Sequence, residues 1–287
     1  GVQLDPHRAR GRDFLAILFG AAAFVGVLII ATSPLKAFVV LLSLVIFALA
    51  FTHPEYIALF LAAYTPFEPF LLKFVNNELY VFARYFSETL IYILLASVAI
   101  RILLGKKKFV QTPIDIPFIF FLIVAGASAV VNAVPAVYAI LGLRQIIRFI
   151  LLFYIIVQLD PERAFIRRVT KVMLGIAVFE SLLGLVQSAV GAPLDQFLIP
   201  SEHKFFESVQ LTSGTDQFWS PGSRIFATLG RYDQLGTFLC FFLLIVVGLL
   251  YCQKSKELRK TLWFVFVVSA AALFLTLSRA SWFGFAL

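Results

Sequence analysis

The residue types best suited to chemistry in this sequence are arginines near the ends of apolar segments. Arg144 and Arg148 are four positions apart. Arg224 and Arg231 bracket the segment Ile-Phe-Ala-Thr-Leu-Gly, and Arg279 follows another apolar run. A guanidinium group can donate two parallel hydrogen bonds to a phosphate, and an arginine at membrane depth is costly without a partner. The three groups together predict a site for a lipid diphosphate; the alternative is that each side chain only reaches lipid head groups.

An acidic residue, Glu180, falls in the middle of a long apolar run. At helical spacing, Gly184, Gln187 and Ser188 share its face. An acid within a membrane span is by default a functional candidate, whereas small residues are typical of a seam between packed helices. The pattern favours a structural role for Glu180 as a buried protonated or paired acid. Glu180 and Gln187 are also candidates for lining a cavity.

Glu68 stands between Pro66 and Pro69 near the end of an earlier apolar run. Prolines interrupt a helix and free carbonyl groups, which a membrane tolerates where the broken segment lines a cavity. The lining of a cavity and a simple kink explain this pattern equally well. His203 is a conceivable general base, but a single histidine in a loop usually has no catalytic role.

Motifs of several familiar enzyme classes are missing from the sequence. There is no GxxxxGK(S/T) segment, which excludes an ATP-driven motor of that type, and no HExxH or GxSxG segment. The two cysteines, Cys240 and Cys252, are too far apart on one helix for a disulfide and have no metal-site spacing. We therefore expect no metal and no cofactor, with guanidinium groups supplying the electrostatic stabilisation.

The composition places these residues in a membrane protein. The chain has 287 residues, of which 61% are hydrophobic and 14% are charged, and its mean hydropathy is +0.95. A soluble domain could not hide that much apolar surface, and disorder requires low hydrophobicity. The net charge of +8 is carried largely by short loops between apolar runs, so it indicates membrane topology and not nucleic-acid binding.

Apolar runs of about 20 residues predict an all-α polytopic bundle of about nine to ten transmembrane helices. The whole chain, 1–287, is expected to form a single transmembrane domain. A cleaved signal peptide is the alternative for the first run, although residues 32–34 make a poor cleavage site. The runs cover residues 14–31, 37–51, 56–72, 88–104, 114–131, 144–158, 170–191, 234–251 and 261–277, and a tenth starts near Ser281.

The Lys and Arg residues predict the orientation of the chain. Most of the 24 lie in the N-terminal tail and in alternate loops, which the positive-inside rule places in the cytoplasm. We therefore expect a cytoplasmic N-terminus, with the arginines of the proposed site at outer helix ends. The predicted cytoplasmic residues are Arg8, Arg10, Arg12, Arg101, Lys106, Lys107, Lys108, Arg163, Arg167, Arg168, Lys171, Lys254, Lys256, Arg259 and Lys260.

Two segments are predicted to lie on the outer face. Residues 192–233 form a long extracytoplasmic loop, whose aromatic residues predict an ordered lid over the site instead of a flexible linker. Residues 73–88 are amphipathic, and Arg84 and Glu88 have the spacing of a charge pair on an interfacial helix. The aromatic residues of the long loop include Phe197, Phe205, Phe206, Phe218 and Trp219.

Several short segments follow one another in a recognisable order along residues 60–287. They are Tyr-Thr-Pro-Phe-Glu-Pro at 64–69, Gly-Leu-Arg-Gln-Ile-Ile-Arg at 142–148, Leu-Gly-Leu-Val-Gln-Ser-Ala-Val-Gly at 183–191, Arg-Ile-Phe-Ala-Thr-Leu-Gly-Arg-Tyr-Asp-Gln-Leu-Gly at 224–236 and Leu-Ser-Arg-Ala-Ser-Trp at 277–282. In order and spacing they resemble the O-antigen ligase and O-antigen polymerase family. One departure is Tyr-Asp-Gln at 232–234, where many relatives have Asn-Pro-Asn, and it leaves the local turn and acceptor handling open.

The resemblance implies a multi-pass protein of the bacterial inner membrane that serves polysaccharide biosynthesis. It implies transfer of a glycan from an undecaprenyl-diphosphate carrier to a lipid or glycan acceptor on the outer face. Outer arginines hold the diphosphate in this family; Arg224 and Arg279 match those positions best, and Arg144 and Arg148 are further matches. The family's proposed catalytic histidine would lie beyond Leu287. Because the chain does not start with Met and ends inside an apolar run, we expect it to be the N-terminal portion of a longer protein.

Several functions remain open from the sequence. A metal-independent glycosyl transferase of the ligase type is the first, and a polymerase of the same family shares all of these features. A transporter of lipids or polysaccharides is the alternative from another class, but it predicts inverted repeats, which are not evident. A non-catalytic scaffold would not need groups of outer arginines.

Overall fold

The computed structural model describes residues 34–200, 205–206, 209–210 and 223–287. These residues are mostly helical, as the composition predicts. The predicted first span, residues 14–31, lies outside the described residues, as do His203, Phe218 and Trp219.

Twelve α-helices make up most of the described chain. They are α1 (Pro34–Thr52), α2 (Pro54–Tyr64), α3 (Glu68–Leu72), α4 (Asn77–Arg84), α5 (Phe86–Leu103), α6 (Asp115–Val131), α7 (Ala136–Leu159), α8 (Arg163–Val190), α9 (Ala192–Leu198), α10 (Tyr232–Cys252), α11 (Lys256–Leu275) and α12 (Arg279–Ala286). Short 3-10 turns occur at Thr65–Phe67 and Ala227–Leu229. Two very short strands, β1 (Phe205–Phe206) and β2 (Val209–Gln210), pair antiparallel.

Five of the described helices are long and apolar enough to cross a membrane: α5, most of α7, α8, α10 and α11. The pair Leu44–Thr52 and Pro54–Leu72 passes the same test when its two helices are counted together, and α6 is apolar but shorter. The protein is therefore an α-helical membrane protein with about five candidate spans in the described part. The total of nine to ten spans stays a prediction.

The chain divides after Ile57 into two compact units. The first contains α1 and the first turn of α2, and the second contains residues 58–287. All of the candidate site residues belong to the second unit. A single domain over residues 1–287 stays a prediction.

Contacts at both ends show that α5 and α7 run in the same direction. Near their starts, Arg144 of α7 forms an ion pair with Glu88 of α5. Near their ends, Lys107, in the loop after α5, donates to the last carbonyl oxygens of α7 and so caps that helix. The basic loop after α5 and the basic start of α8 therefore lie at the same end of the second unit.

The helices α8 and α11 also run in the same direction, and α10 runs against them. Ser181 of α8 donates to Ser269 of α11 over 3.1 Å, and their C-terminal ends border one cavity. The start of α10 packs at Gly236 against the serines that follow α11. The basic connection between α10 and α11 thus lies at the end of the unit where α8 begins. This agrees with the predicted alternation of the loops, and which end faces the cytoplasm stays a prediction.

The apolar core of this bundle joins α10, α11 and the chain just before α10. It contains leucines of α10 and Ala272 and Leu273 of α11. Lipid chains are as apolar as leucine, so close packing and not removal from water stabilises such a core. Two glycines allow that close approach: a Cβ atom at Gly184 would lie 2.7 Å from Ile225 Cδ1, and one at Gly236 would lie 2.6 Å from Ser281 Oγ.

Candidate functional site

A stretch that is not α-helical, residues 223–231, runs into the bundle before α10 and contains the 3-10 turn Ala227–Leu229; we call it the buried segment. Ile225 to Gly230 are all buried. Where a buried backbone is not α-helical, its N–H groups need other partners. Ile225 N donates to the carbonyl oxygen of Leu275 over 3.4 Å, and the three N–H groups that follow donate to side chains of α8. The sequence therefore specifies this stretch through polar residues placed on a neighbouring helix.

Gln187 holds the first half of the buried segment. Its Oε1 atom accepts from the N–H groups of Phe226 and Ala227, at 3.0 and 2.8 Å. Its Nε2 atom donates to Asp195 Oδ1 of α9 over 2.8 Å. Both Gln187 and Asp195 are only 1% exposed. The amide thus uses its donor and its acceptor side at once, and joins α8, α9 and the buried segment.

Glu180 holds the second half of the buried segment. Its Oε2 atom accepts from Thr228 N over 3.1 Å, and its Oε1 atom lies 2.5 Å from Thr228 Oγ1. The same hydroxyl lies 3.1 Å from the carbonyl oxygen of Pro66. A hydroxyl group has one proton and a carbonyl has none to donate, so both contacts are hydrogen bonds only when Glu180 carries a proton.

A neutral Glu180 also agrees with its surroundings. The residue is fully buried, at 0% exposure, and none of the ion pairs found in the described residues involves it. A buried unpaired charge is far more costly than a buried protonated acid. This geometry supports the predicted structural role of Glu180, and it adds Thr228 and Pro66 as partners that the sequence pattern does not reveal.

The backbone is strained on both sides of the site. Ala227 has φ +47°, and Leu277, between α11 and α12, has φ +53°. A positive φ at a residue other than glycine costs about 1–3 kcal/mol and persists only where the surroundings impose the conformation. At Ala227 the two hydrogen bonds to Gln187 provide that constraint. Gly230 also has a positive φ, +77°, and a Cβ atom there would lie 2.6 Å from Pro200 Cγ.

A small polar cavity of about 60 Å³ lies between the buried segment and the ends of α8 and α11. Arg224 contributes a cation to it, and its Cζ atom stacks 4.3 Å from the ring centroid of Tyr232. The cavity therefore brings together a guanidinium group, a carboxyl group and two hydroxyl groups. Its lining residues are Gln187, Ser188, Asp195, Ser223, Arg224, Ile225, Leu275 and Leu277.

The other two arginines of this region differ in their contacts. Arg231 is bound by Asp233 through two hydrogen bonds of 3.0 and 2.9 Å, in a partly exposed pair. Arg279 is the first residue of α12 and is exposed. Leu277, two residues before Arg279, lines the polar cavity. In the described part of the chain no ion pair involves Arg279.

A second, apolar cavity of about 390 Å³ borders the buried segment farther along the chain, at Thr228. Thr228 is its single lining residue from that segment. Its remaining lining residues come from α2, α3, the turn between them and α8, and are mainly aromatic. They are Phe60, Ala63, Tyr64, Phe67, Phe70, Leu71 and Phe179.

Arg144 and Arg148 are not at the polar cavity. They lie on α7, where that helix contacts the start of α5. Arg144 Nε lies 3.1 Å from Glu88 Oε1, an ion pair without hydrogen-bond geometry, and the guanidinium group stacks 4.7 Å from the ring centroid of Tyr85. Tyr92 donates to the same carboxyl oxygen over 2.7 Å. Arg148 stacks on Phe149 at 4.6 Å, and its buried Nε atom has no hydrogen-bond partner in the described residues.

The predicted pairing of Arg84 with Glu88 on one interfacial helix differs from what is found. The helix is interrupted, since α4 ends at Arg84 and α5 begins at Phe86, and the carboxylate of Glu88 pairs with Arg144. Arg84 instead lies close to Tyr80, where burial raises the pKa of the phenol and the charge of Arg84 opposes the rise.

Glu68 lies between the buried segment and the contact of α7 with α5. It accepts a hydrogen bond from Ser87 Oγ at the start of α5 over 2.7 Å. The prolines on either side of it contact the buried segment, through the carbonyl of Pro66 and the ring of Pro69. The break that the prolines impose thus places Glu68 between the buried segment and α5. The broken segment borders the apolar cavity through Phe67, Phe70 and Leu71, and a cavity-lining role for Glu68 itself stays a prediction.

The structure therefore divides the five predicted arginines into two groups. Arg224 and Arg231 belong to the buried segment, Arg224 lines the polar cavity, and Arg279 lies two residues after the lining residue Leu277, whereas Arg144 and Arg148 belong to the contact of α7 with α5. Sequence reasoning missed three residues that contact the candidates, namely Thr228, Asp195 and Tyr92. It singled out a fourth, Glu88, but paired it with Arg84 instead of Arg144.

The long loop, residues 192–233, is partly described. Lys73 donates to two carbonyl oxygens at the end of α9, each over 3.0 Å. Strand β1 contacts α4. Residues 225–230 lie inside the bundle instead of above it, so the last part of the loop is a buried support of the site. A lid formed by the rest of the loop stays a prediction.

The chain matches no family model, no curated protein and no solved structure in the comparisons made. The resemblance to the O-antigen ligase family accordingly rests on the residues quoted above. Among the described residues, no group of three or more His, Cys, Asp or Glu side chains has the arrangement of a metal site.

Proposed function

We propose that the protein is a metal-independent membrane glycosyl transferase of the O-antigen ligase type in the bacterial inner membrane. Its donor would be a glycan linked to undecaprenyl diphosphate, and its acceptor a hydroxyl group of a lipid or glycan. The observation that carries the proposal is Arg224, a guanidinium group placed in a polar cavity by a segment whose N–H groups are held by buried side chains. Such preorganised cations are the usual way to stabilise charge that develops in a reaction.

The reaction would be a substitution at the anomeric carbon of the glycan. The acceptor hydroxyl oxygen attacks that carbon, and the bond from the carbon to the diphosphate oxygen breaks. The diphosphate leaves with the bonding electron pair, and the hydroxyl proton passes to a base. Negative charge grows on the diphosphate, where Arg224 and Arg279 would donate charge-assisted hydrogen bonds. Arg231 would contribute less, because Asp233 already binds it.

The apolar cavity supports a donor that carries a lipid chain. It borders the same buried segment that bears Arg224 and Arg231, with Thr228 as the shared residue. A prenyl chain in this cavity and a diphosphate at Arg224 would place the two chemically different parts of one donor in two cavities that border the same segment. The role predicted for Arg144 and Arg148 in binding the same diphosphate stays a prediction.

The replacement Arg279→Lys tests the proposal. Lysine keeps the charge but not the planar fork that binds two phosphate oxygens, so we expect a loss of transfer of about 3 kcal/mol, or about a hundredfold in rate. Glycan transfer would be measured in a cell lacking the native enzyme, with the protein level checked in the same membranes. Arg259→Lys is the matched control, because Arg259 is exposed at the opposite end of the unit.

Near-normal transfer by the Arg279→Lys variant would remove Arg279 from the site, since a side chain that only reaches lipid head groups works equally well as lysine. The absence of any transfer from an undecaprenyl-diphosphate donor by the full-length wild-type protein would overturn the function itself.

A further inference from the structure

We propose that the charged residues between α5 and α7 form a second anion site, which binds the phosphodiester head group of an anionic membrane lipid. This α5–α7 cluster consists of Glu68, Arg84, Glu88, Arg144 and Arg148. It is distinct from the cavity of Arg224 and does not depend on the proposed transferase activity.

The first argument is the charge of the cluster. Three guanidinium groups face two carboxyl groups, so one positive charge is left over when both acids are ionised. The charges are near enough to act on one another: those of Arg148 and Arg84 both act on Glu68. Arg144 and Glu88 neutralise each other across 3.1 Å. The excess charge therefore lies with the arginines that act on Glu68, of which Arg148 belongs to α7, and a phosphodiester carries the single negative charge that would balance it.

The second argument is the unsatisfied hydrogen-bonding capacity of Arg148. Its Nε atom is buried and has no hydrogen-bond partner in the described residues, and its guanidinium group stacks on the ring of Phe149. A buried donor without a partner costs about 1–3 kcal/mol, so such groups usually mark an acceptor that the protein itself does not supply. Phosphate oxygens are the acceptors that suit a guanidinium group best.

The third argument identifies the source of that phosphate. Beyond its contact with α5, the α7 helix exposes a broad apolar face, including Ile146, Phe149 and Phe153, which are 53%, 56% and 44% exposed. Within a membrane this face lies against lipid chains. The acyl chains of a bound lipid can therefore follow α7 while its head group reaches Arg148. A free phosphate ion has no apolar chains that could pack against this face.

The separation from the donor cavity follows from the elements involved. The cluster is built by α3, α4, α5 and α7, whereas the polar cavity of Arg224 is lined by α8, α9, the buried segment and the end of α11. Glu68 and its flanking prolines stand between the two. An acidic side chain at that position keeps a single anion from bridging both sites.

The test measures lipid binding to the purified full-length protein by native mass spectrometry during titration with phosphatidylglycerol or phosphatidylcholine. We expect one phosphatidylglycerol to bind at least tenfold more tightly than phosphatidylcholine. Arg148→Gln should weaken phosphatidylglycerol binding at least tenfold, and Arg148→Lys, which keeps the charge, only a few fold. Arg167→Gln, an exposed arginine at the other end of the unit, should bind like wild type.

Three outcomes would overturn the proposal. Equal binding by Arg148→Gln and wild type would mean that the cluster is not the site. Displacement of the lipid by an equal concentration of inorganic phosphate would assign the site to free phosphate. Equal weakening of undecaprenyl diphosphate binding by Arg148→Gln and Arg224→Gln would place Arg148 in the donor site instead.

A salt titration of the wild-type protein provides a test that needs no variant. An electrostatic head-group site should lose affinity for phosphatidylglycerol as salt rises from about 50 to about 500 mM, because the screening length shortens. Binding of phosphatidylcholine should change little. Salt-independent binding of phosphatidylglycerol would contradict a charged site.

Discussion

The buried segment and the α5–α7 cluster differ in whether their polar groups have hydrogen-bond partners within the protein. In the buried segment, the N–H groups from Ile225 to Thr228 and the side chains of Gln187 and Glu180 all have partners. In the cluster, the guanidinium groups outnumber the carboxyl groups, and Arg148 Nε has no partner within the described chain. A network that is complete within the protein fixes a shape, whereas an incomplete one is suited to a ligand.

The difference explains how a non-helical backbone can exist inside this bundle. Each unsatisfied backbone group would cost several kcal/mol in hydrocarbon, so the segment must be held before it can place Arg224. Two side chains of α8 supply this support, seven residues apart on one face of the helix. The cluster needs no such support because its arginines stand on a regular helix.

The largest effect is expected from the loss of the support at Gln187. Gln187→Ala removes the acceptor of two buried N–H groups and the donor to Asp195. At about 1–3 kcal/mol for each buried group left unpaired, the folded state should lose about 3 kcal/mol or more. Thermal unfolding of the purified protein measures the loss, which would be visible as a strongly lowered midpoint or as failure to accumulate in the membrane.

Gln234→Ala is the control for this experiment, because Gln234 is an exposed glutamine at the start of α10. The free energy of unfolding of this variant should lie within about 0.5 kcal/mol of that of the wild type. A Gln187→Ala variant as stable as this control would show that the buried segment does not depend on α8, and the contrast between the two regions would lose its basis.

The sequence predicts the helices of this protein better than it predicts the site. The apolar runs placed α5, α7, α8, α10 and α11 correctly, because a bilayer demands long apolar helices and leaves few alternatives. The sequence predicts an outer loop over residues 225–230, but these residues are buried because their partners lie on a helix 39 to 48 residues earlier in the chain. No local pattern reports such a pairing. The acid and the glycine in the apolar run of α8 indicate only the α8 side of this pairing.

An intermediate effect is expected at Glu180, and it distinguishes a neutral from a charged acid. Glu180→Gln has the shape and the hydrogen-bonding pattern of the protonated acid: its amide donates to Thr228 Oγ1 and its oxygen accepts from Thr228 N. We therefore expect a stability within about 1 kcal/mol of wild type. Glu180→Ala leaves Thr228 N unpaired and opens a cavity, which should cost about 2–3 kcal/mol.

Equal destabilisation by Gln and Ala at this position would contradict the neutral form, because a carboxylate that only accepts hydrogen bonds is not replaced by an amide that also donates one. Thr228→Val, compared with Thr228→Ser, gives an independent reading of the same contacts. Serine keeps the hydroxyl group between Glu180 and Pro66, so it should retain more of the stability than valine does.

The smallest effect is expected where α8 touches the buried segment without a hydrogen bond. Gly184 and Gly175 lie on the same helix, and both should gain helical propensity on replacement by alanine, by up to about 1 kcal/mol. A new Cβ atom at Gly175 would meet nothing within 4 Å, whereas one at Gly184 would lie 2.7 Å from Ile225 Cδ1. That atom is the end of a flexible side chain, so it can move, but only by displacing Ile225 within the core it shares with α10 and α11. We expect Gly175→Ala to leave the free energy of unfolding unchanged or to raise it. Gly184→Ala should be about 1 kcal/mol less stable than the Gly175→Ala variant, as measured by thermal unfolding. If the two variants are equally stable, the buried segment does not press against α8 at this point, and the hydrogen bonds of Gln187 and Glu180 must hold it without the help of packing.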